Sequence, residues 1–81
     1  MNIDNLESNA VVVCQTVNEC ESIALILHKN NMKWRSCGSY LSFKPWEDFG
    51  VPFHFYPKIG TWDSGEKIES KYTQYKAGEF L

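Results

Sequence analysis

The run Ala10-Val11-Val12-Val13-Cys14 constrains this chain more than any other feature. β-Branched side chains favour extended backbone, and a run this short reads as a strand. It does not alternate between apolar and polar residues, so both of its faces ask to be buried. An 81-residue chain makes one domain, over residues 1–81, with 1–8 reading as a frayed end apart from Ile3 and Leu6. One helix covers only one face of a small sheet. The other face then asks for a partner, and a second copy of the chain can supply it, so a homo-oligomer is expected.

The helix follows at once. Thr16 and Glu19 have the spacing of a capping box, in which the Thr16 hydroxyl accepts from the Glu19 amide and Glu19 reaches back to the Thr16 amide. Val17, Cys20, Ile23, Ala24 and Leu27 then recur on one face, with Asn18, Glu21, Ser22 and Lys29 opposite. Leu25 interrupts the polar face, either as a lone exposed leucine or as a contact to a partner. Asn30 and Asn31 suit the conformation that ends helices. Residues 32–35 are expected to return as a strand beside the first. Gly38 marks a turn or bulge, residues 40–43 a short strand, and residues 47–50 a loop. Val51, Phe53 and Phe55 alternate with Pro52, His54 and Tyr56 as a half-buried strand, with residues 59–62 as its hairpin mate. Residues 63–65 read as a turn, 66–71 as charged and exposed, and 72–81 as a final strand. The expected class is α+β: one small domain, β-α-β-β-β, with an antiparallel or mixed sheet and one helix packed on one face.

Composition removes several function classes. A net charge of −2 without a basic run gives no general attraction to DNA or RNA. No apolar run approaches membrane-spanning length. The three cysteines, Cys14, Cys20 and Cys37, are odd in number and lack CxxC spacing, so they read as reduced thiols in a cytoplasmic protein. With His28 or His54 they do not have the spacing of a zinc site and read as small buried hydrophobes, so neither metal nor cofactor is called for. Cys37 with His54 is the one nucleophile–base pairing worth naming. It lacks an oxyanion pattern and an orienting acid, so no enzyme is expected and His54 reads as a strand residue on the outer face.

Residues 33–49 are better suited to binding. They hold Trp34, Trp46 and the chain's single arginine, Arg35, with Ser36, Cys37, Gly38 and Ser39 between. Aromatic faces stack on flat ligands, the Arg fork grips anions, and glycine admits a ligand to the backbone. Three tryptophans, four tyrosines and five phenylalanines exceed what one small core needs, so some rings belong on the surface. Trp34 reads equally as a core ring beneath the helix; Trp46, after a proline in a loop, reads as surface.

The chain resembles a broad group of very small proteins encoded by bacteriophages and prophages. The likeness rests on Val12-Val13-Cys14-Gln15-Thr16 with Glu19, an amphipathic helix, and Asn30-Asn31-Met32-Lys33-Trp34-Arg35-Ser36 followed by Gly38 and Tyr40. It covers residues 11–38, and loosely the closing Ala77-Gly78-Glu79-Phe80-Leu81. It implies a single βαββ-type domain acting in the cytoplasm of the infected bacterial cell. Some such proteins are counter-defence sponges that bind cyclic nucleotide signals of CBASS or Thoeris immunity between subunits, without cleaving them. The leading expectation is therefore sequestration of a cyclic nucleotide: Trp34, Tyr40 or Trp46 stacks on a base, Arg35 and Lys44 meet phosphate, and Ser36 and Ser39 hydrogen-bond to phosphate or sugar. The alternatives are an inhibitor docking on a host defence protein through the same aromatic surface, and a structural accessory domain without ligand.

Overall fold

The structure, a computed structural model, describes residues 2–36 and 38–81. Along the chain lie β1 (Ala10–Cys14), α1 (Val17–Lys29), β2 (Lys33–Trp34), β3 (Gly38–Ser39), a short helix α2 (Trp46–Phe49), β4 (Phe53–Tyr56), β5 (Thr61–Ser64) and β6 (Thr73–Lys76), with 3-10 turns at Ile3–Asn5 and Ala77–Glu79. The apolar run forms its strand and takes an inner place in a four-stranded sheet of order β5-β4-β1-β6. β4 pairs antiparallel with β1, setting Phe55 against Val12 and Phe53 against Cys14. β6 pairs with β1 in parallel, with Tyr75 beside Val12. The sheet is thus mixed, and the class is α+β with one main helix on one face, as the sequence predicts.

α1 begins where the capping box places it. The Thr16 hydroxyl accepts from the Glu19 amide at 3.1 Å, while Glu19 turns back to accept from the Gln15 amide at 2.7 Å, one residue before the Thr16 amide expected. Cys20, Ile23, Ala24 and Leu27 are buried, and they pack with Ala10, Val12, Cys14, Phe53 and Phe55 of the sheet's front face. Val17, expected on that face, is instead half exposed in the first turn. At the amino end Ile3 and Leu6, the two residues excepted from the frayed segment, sit in this core, and the residues from Asn2 to Ser8 around them are exposed.

Several expectations change once the chain is closed. Residues 32–35 do not join the first strand. β2 pairs with β3 in a separate two-stranded ribbon, and the Arg35 amide donates to the Gly60 carbonyl at 2.8 Å, docking this corner on the turn between β4 and β5. Residues 40–43 form turns, because the Ser39 carbonyl accepts from both the amide and the hydroxyl of Ser42. The expected loop at 47–50 is helical over Trp46–Phe49, led by Pro45 and closed by Gly50 at φ +76°. Asp63 and Ser64 belong to β5, and the final strand is only Thr73–Lys76.

The second face of β1 is covered from within the chain. β5 and β6 lie at opposite edges, so residues 65–72 must cross the sheet. His54 and Tyr56 alternate with the front-facing Phe53 and Phe55 and so point to the back. There the His54 Nε2–H donates to the Gly65 carbonyl at 2.8 Å, and the Tyr56 and Tyr72 rings meet edge to face at 4.8 Å. Val11, on the same face, is fully buried. The back of the strand is therefore covered from within the chain at Val11 but only partly at Val13, which weakens that motive for an oligomer. His54 faces away from the helix, as expected, but it is buried under the crossing segment rather than exposed.

Candidate functional site

The rings proposed to stack on a base are core. Trp34 is 4% exposed; its indole N–H donates to the Phe43 carbonyl at 3.1 Å, and its ring packs on Tyr40 at 4.4 Å and Phe55 at 5.9 Å. Tyr40 is fully buried. Trp46 is 1% exposed, packs on Phe53 and Phe55, and donates its indole N–H to Glu21 Oε2 at 2.7 Å. The reason is area. α1 covers only part of the front face, and these three rings cover the region over Phe55 and Phe53. Their faces are closed to a flat ligand, a correction to the expected stacking.

The polar members of the set do not converge either. Lys44 Nζ pairs with Glu21 Oε1 at 3.2 Å, so one helix carboxylate holds both Lys44 and Trp46. Arg35 is exposed beside the Gly60 turn, and Ser36 is exposed next to it. The Ser39 hydroxyl lies 3.3 Å from His28 Nδ1 and accepts from the Leu41 amide at 3.0 Å, a turn-stabilising role. Cys37, and with it the pairing to His54, lies outside the described residues. His54 uses Nε2–H on Gly65, which leaves Nδ1 buried without a partner. Cys14 and Cys20 are buried free thiols. A hydrogen bond to Cys20, then burial, pushes the Cys14 thiol well up, which suppresses the thiolate that nucleophilic attack or metal binding needs. Among the described residues, no group of three or more His, Cys, Asp or Glu is placed to hold a metal ion.

A cavity of about 630 Å³ opens elsewhere, on the back of the sheet, between β4–β5 and the crossing segment. This is within the size range of small-molecule sites. Tyr56 and Tyr72 form an aromatic wall, and Ile68 lies in the crossing segment beside them. Asp63 comes from β5, and Glu66 and Glu69 from the crossing segment, with Lys67 the opposing charge in the lining. Tyr56 is 6% exposed. Burial first, then the charge of Asp63, with smaller contributions from Tyr72 and Glu69, pushes that phenol up to about 12. A neutral phenol with both donor and acceptor capacity therefore faces a negatively charged cavity. A smaller hollow of about 390 Å³ lies at Val13, Gln15, Glu19, Lys76, Ala77 and Gly78, but its carboxylate is already engaged by the helix cap.

Sequence reasoning passes over this site because its parts look ordinary one by one. Tyr56 reads as the polar side of an alternating strand, and residues 66–71 read as a solvated charge run. The available signal was Ile68 and Tyr72, two apolar residues set in that charged run. Compared with protein-family models, with curated proteins and with solved structures, the chain matches none.

Proposed function

We propose that this domain is a binding protein that captures a small molecule, without cleaving it, in the cavity behind its sheet. The observation that carries this is the cavity itself: large enough for a ligand and walled by the rings of Tyr56, 6% exposed, and Tyr72. A concave site lined by aromatic rings and a few charged groups is the usual form of a small-molecule site. The capture-without-chemistry role expected for a phage counter-defence protein is kept. The site moves from residues 33–49 to the back of the sheet, because Trp34, Tyr40 and Trp46 present no free faces. A fragment screen by amide NMR, with cyclic dinucleotides and trinucleotides included, tests this. Hits are expected to shift the amides of Tyr56, Asp63, Ile68 and Tyr72. Hits confined to residues 33–49, or none anywhere, would refute it.

Docking on a protein, including a second copy, has its own support. Glu21, Leu25 and His28 form one stripe of α1, and the segment carrying Ser39, Lys44 and Trp46 is tied along it. Leu25, Leu41 and Phe43 are each 37% to 42% exposed on these two segments. Light scattering of the wild type and Leu25→Glu at micromolar concentration tests self-association. A monomeric wild type removes the second copy as the occupant.

A further inference from the structure

We infer that the ligand of the back-face cavity is an organic ammonium ion. This deepens the capture reading above and rests on it. Three carboxylates, those of Asp63, Glu66 and Glu69, line the cavity, against the ammonium of Lys67 in the lining and that of Lys71, which pairs with Glu69. An anion such as a nucleotide phosphate would enter against that field, whereas a cation enters with it. The rings add a second, independent preference. The Tyr56 and Tyr72 rings both line the cavity, and tyrosine faces attract ammonium groups. The chain already uses this pairing on itself. Lys71 Nζ lies 5.3 Å from the centre of the Tyr72 ring and 3.5 Å from Glu69 Oε2. Tyr72 with Glu69 thus holds an ammonium in this molecule, and Tyr56 and Asp63 bring a second tyrosine and a second carboxylate to the same cavity. The Tyr56 hydroxyl can accept from an ammonium N–H or from a hydroxyl on the ligand.

Amide NMR titration of the full chain provides the test, with three probes: choline, cadaverine, and 3,3-dimethylbutan-1-ol, which has the shape of choline without its charge. Choline or cadaverine is expected to saturate shifts at Tyr56, Asp63, Glu69 and Tyr72, with the neutral isostere at least about tenfold weaker. Asp63→Asn with Glu69→Gln should weaken choline binding about tenfold while circular dichroism stays unchanged, and Tyr56→Phe should keep the shifts but lower the affinity. If the isostere binds as well as choline, or if a cyclic dinucleotide saturates these amides and neither cation does, the cation inference falls and the cavity stands as a site of another class. If no cation, nucleotide or fragment moves these amides, both the inference and the capture reading fall.

Discussion

Replacing Trp46 decides whether the centre of the molecule has been read correctly. Its ring is 1% exposed and lies 5.4 Å from Phe53 and 5.7 Å from Phe55, so Trp46→Ala opens a void between α2 and the sheet. Truncating a core tryptophan costs roughly 3–5 kcal/mol. The lost bond to Glu21 adds little, because Glu21 keeps Lys44 and its side chain is 41% exposed, so water can replace the indole. For 81 residues the total stability is about 4–12 kcal/mol, at roughly 0.05–0.15 kcal/mol per residue. With a urea slope of about 1–1.5 kcal/mol/M, the unfolding midpoint should drop by about 2–5 M. Trp46→Phe keeps most of the ring and loses the N–H, and should drop it by about 1–2 M at most. Urea titrations followed by circular dichroism measure both. A folded Trp46→Ala whose midpoint stays within about 0.3 M of wild type would refute the core assignment and return this ring to the surface as a stacking platform.

Three further outcomes follow from geometry already described. Gly60→Ala should destabilise more than Gly65→Ala in thermal melts: both have positive φ and share a strain of about 1–2 kcal/mol, but only at Gly60 would the new Cβ stand 2.8 Å from the Arg35 amide nitrogen. Equal losses would show that the Gly60–Arg35 approach does not matter. Tyr40→Phe should be neutral or up to about 1 kcal/mol stabilising, because it removes a buried hydroxyl that has no partner. Burial pushes the Tyr40 phenol up to about 12, so the native state holds that proton more tightly than the unfolded chain does. Its contribution is therefore full below about pH 10 and lost as pH rises towards 12; Tyr40→Phe should flatten part of that loss in urea midpoints measured across the range, and an unchanged slope would contradict it. Thr16→Ala should lower stability by about 1 kcal/mol through loss of the helix cap, and an unchanged midpoint would show that the cap is dispensable.

What was legible in the sequence was local. The β1 run, the Thr16–Glu19 box and the apolar face of α1 each depend on side chains within a few residues, and all three stand where their pattern puts them apart from Val17. The ladder partners of β1 were not legible. Residues 32–35 carry no signal that prefers Gly60 over the first strand, and Thr73–Lys76 has no more apolar content than the loops around it. The fate of Trp34 and Trp46 could not be read either, since whether a tryptophan is core or surface depends on how much sheet the single helix leaves uncovered. The crossing segment was legible in part: its charges predicted exposure, and residues 66, 67 and 69–71 are exposed, but nothing nearby in sequence announced that it would cross behind β4.

The parallel pairing of β1 with β6 also sets when this molecule can fold. Ala10 finds Thr73, and Val13 finds Lys76, across almost the whole chain. Non-local pairing of this kind slows folding, towards milliseconds or longer for a domain of such size. During synthesis, at about 5–20 residues per second, β1 emerges early and waits for several seconds with one edge open and Val11 uncovered. An unpaired strand of valines is a template for association with other chains. Newly made protein is thus most exposed to aggregation in the interval before Thr73–Lys76 leaves the ribosome, and high expression at elevated temperature should be lost to insoluble material formed in that interval rather than to unfolding of the finished domain.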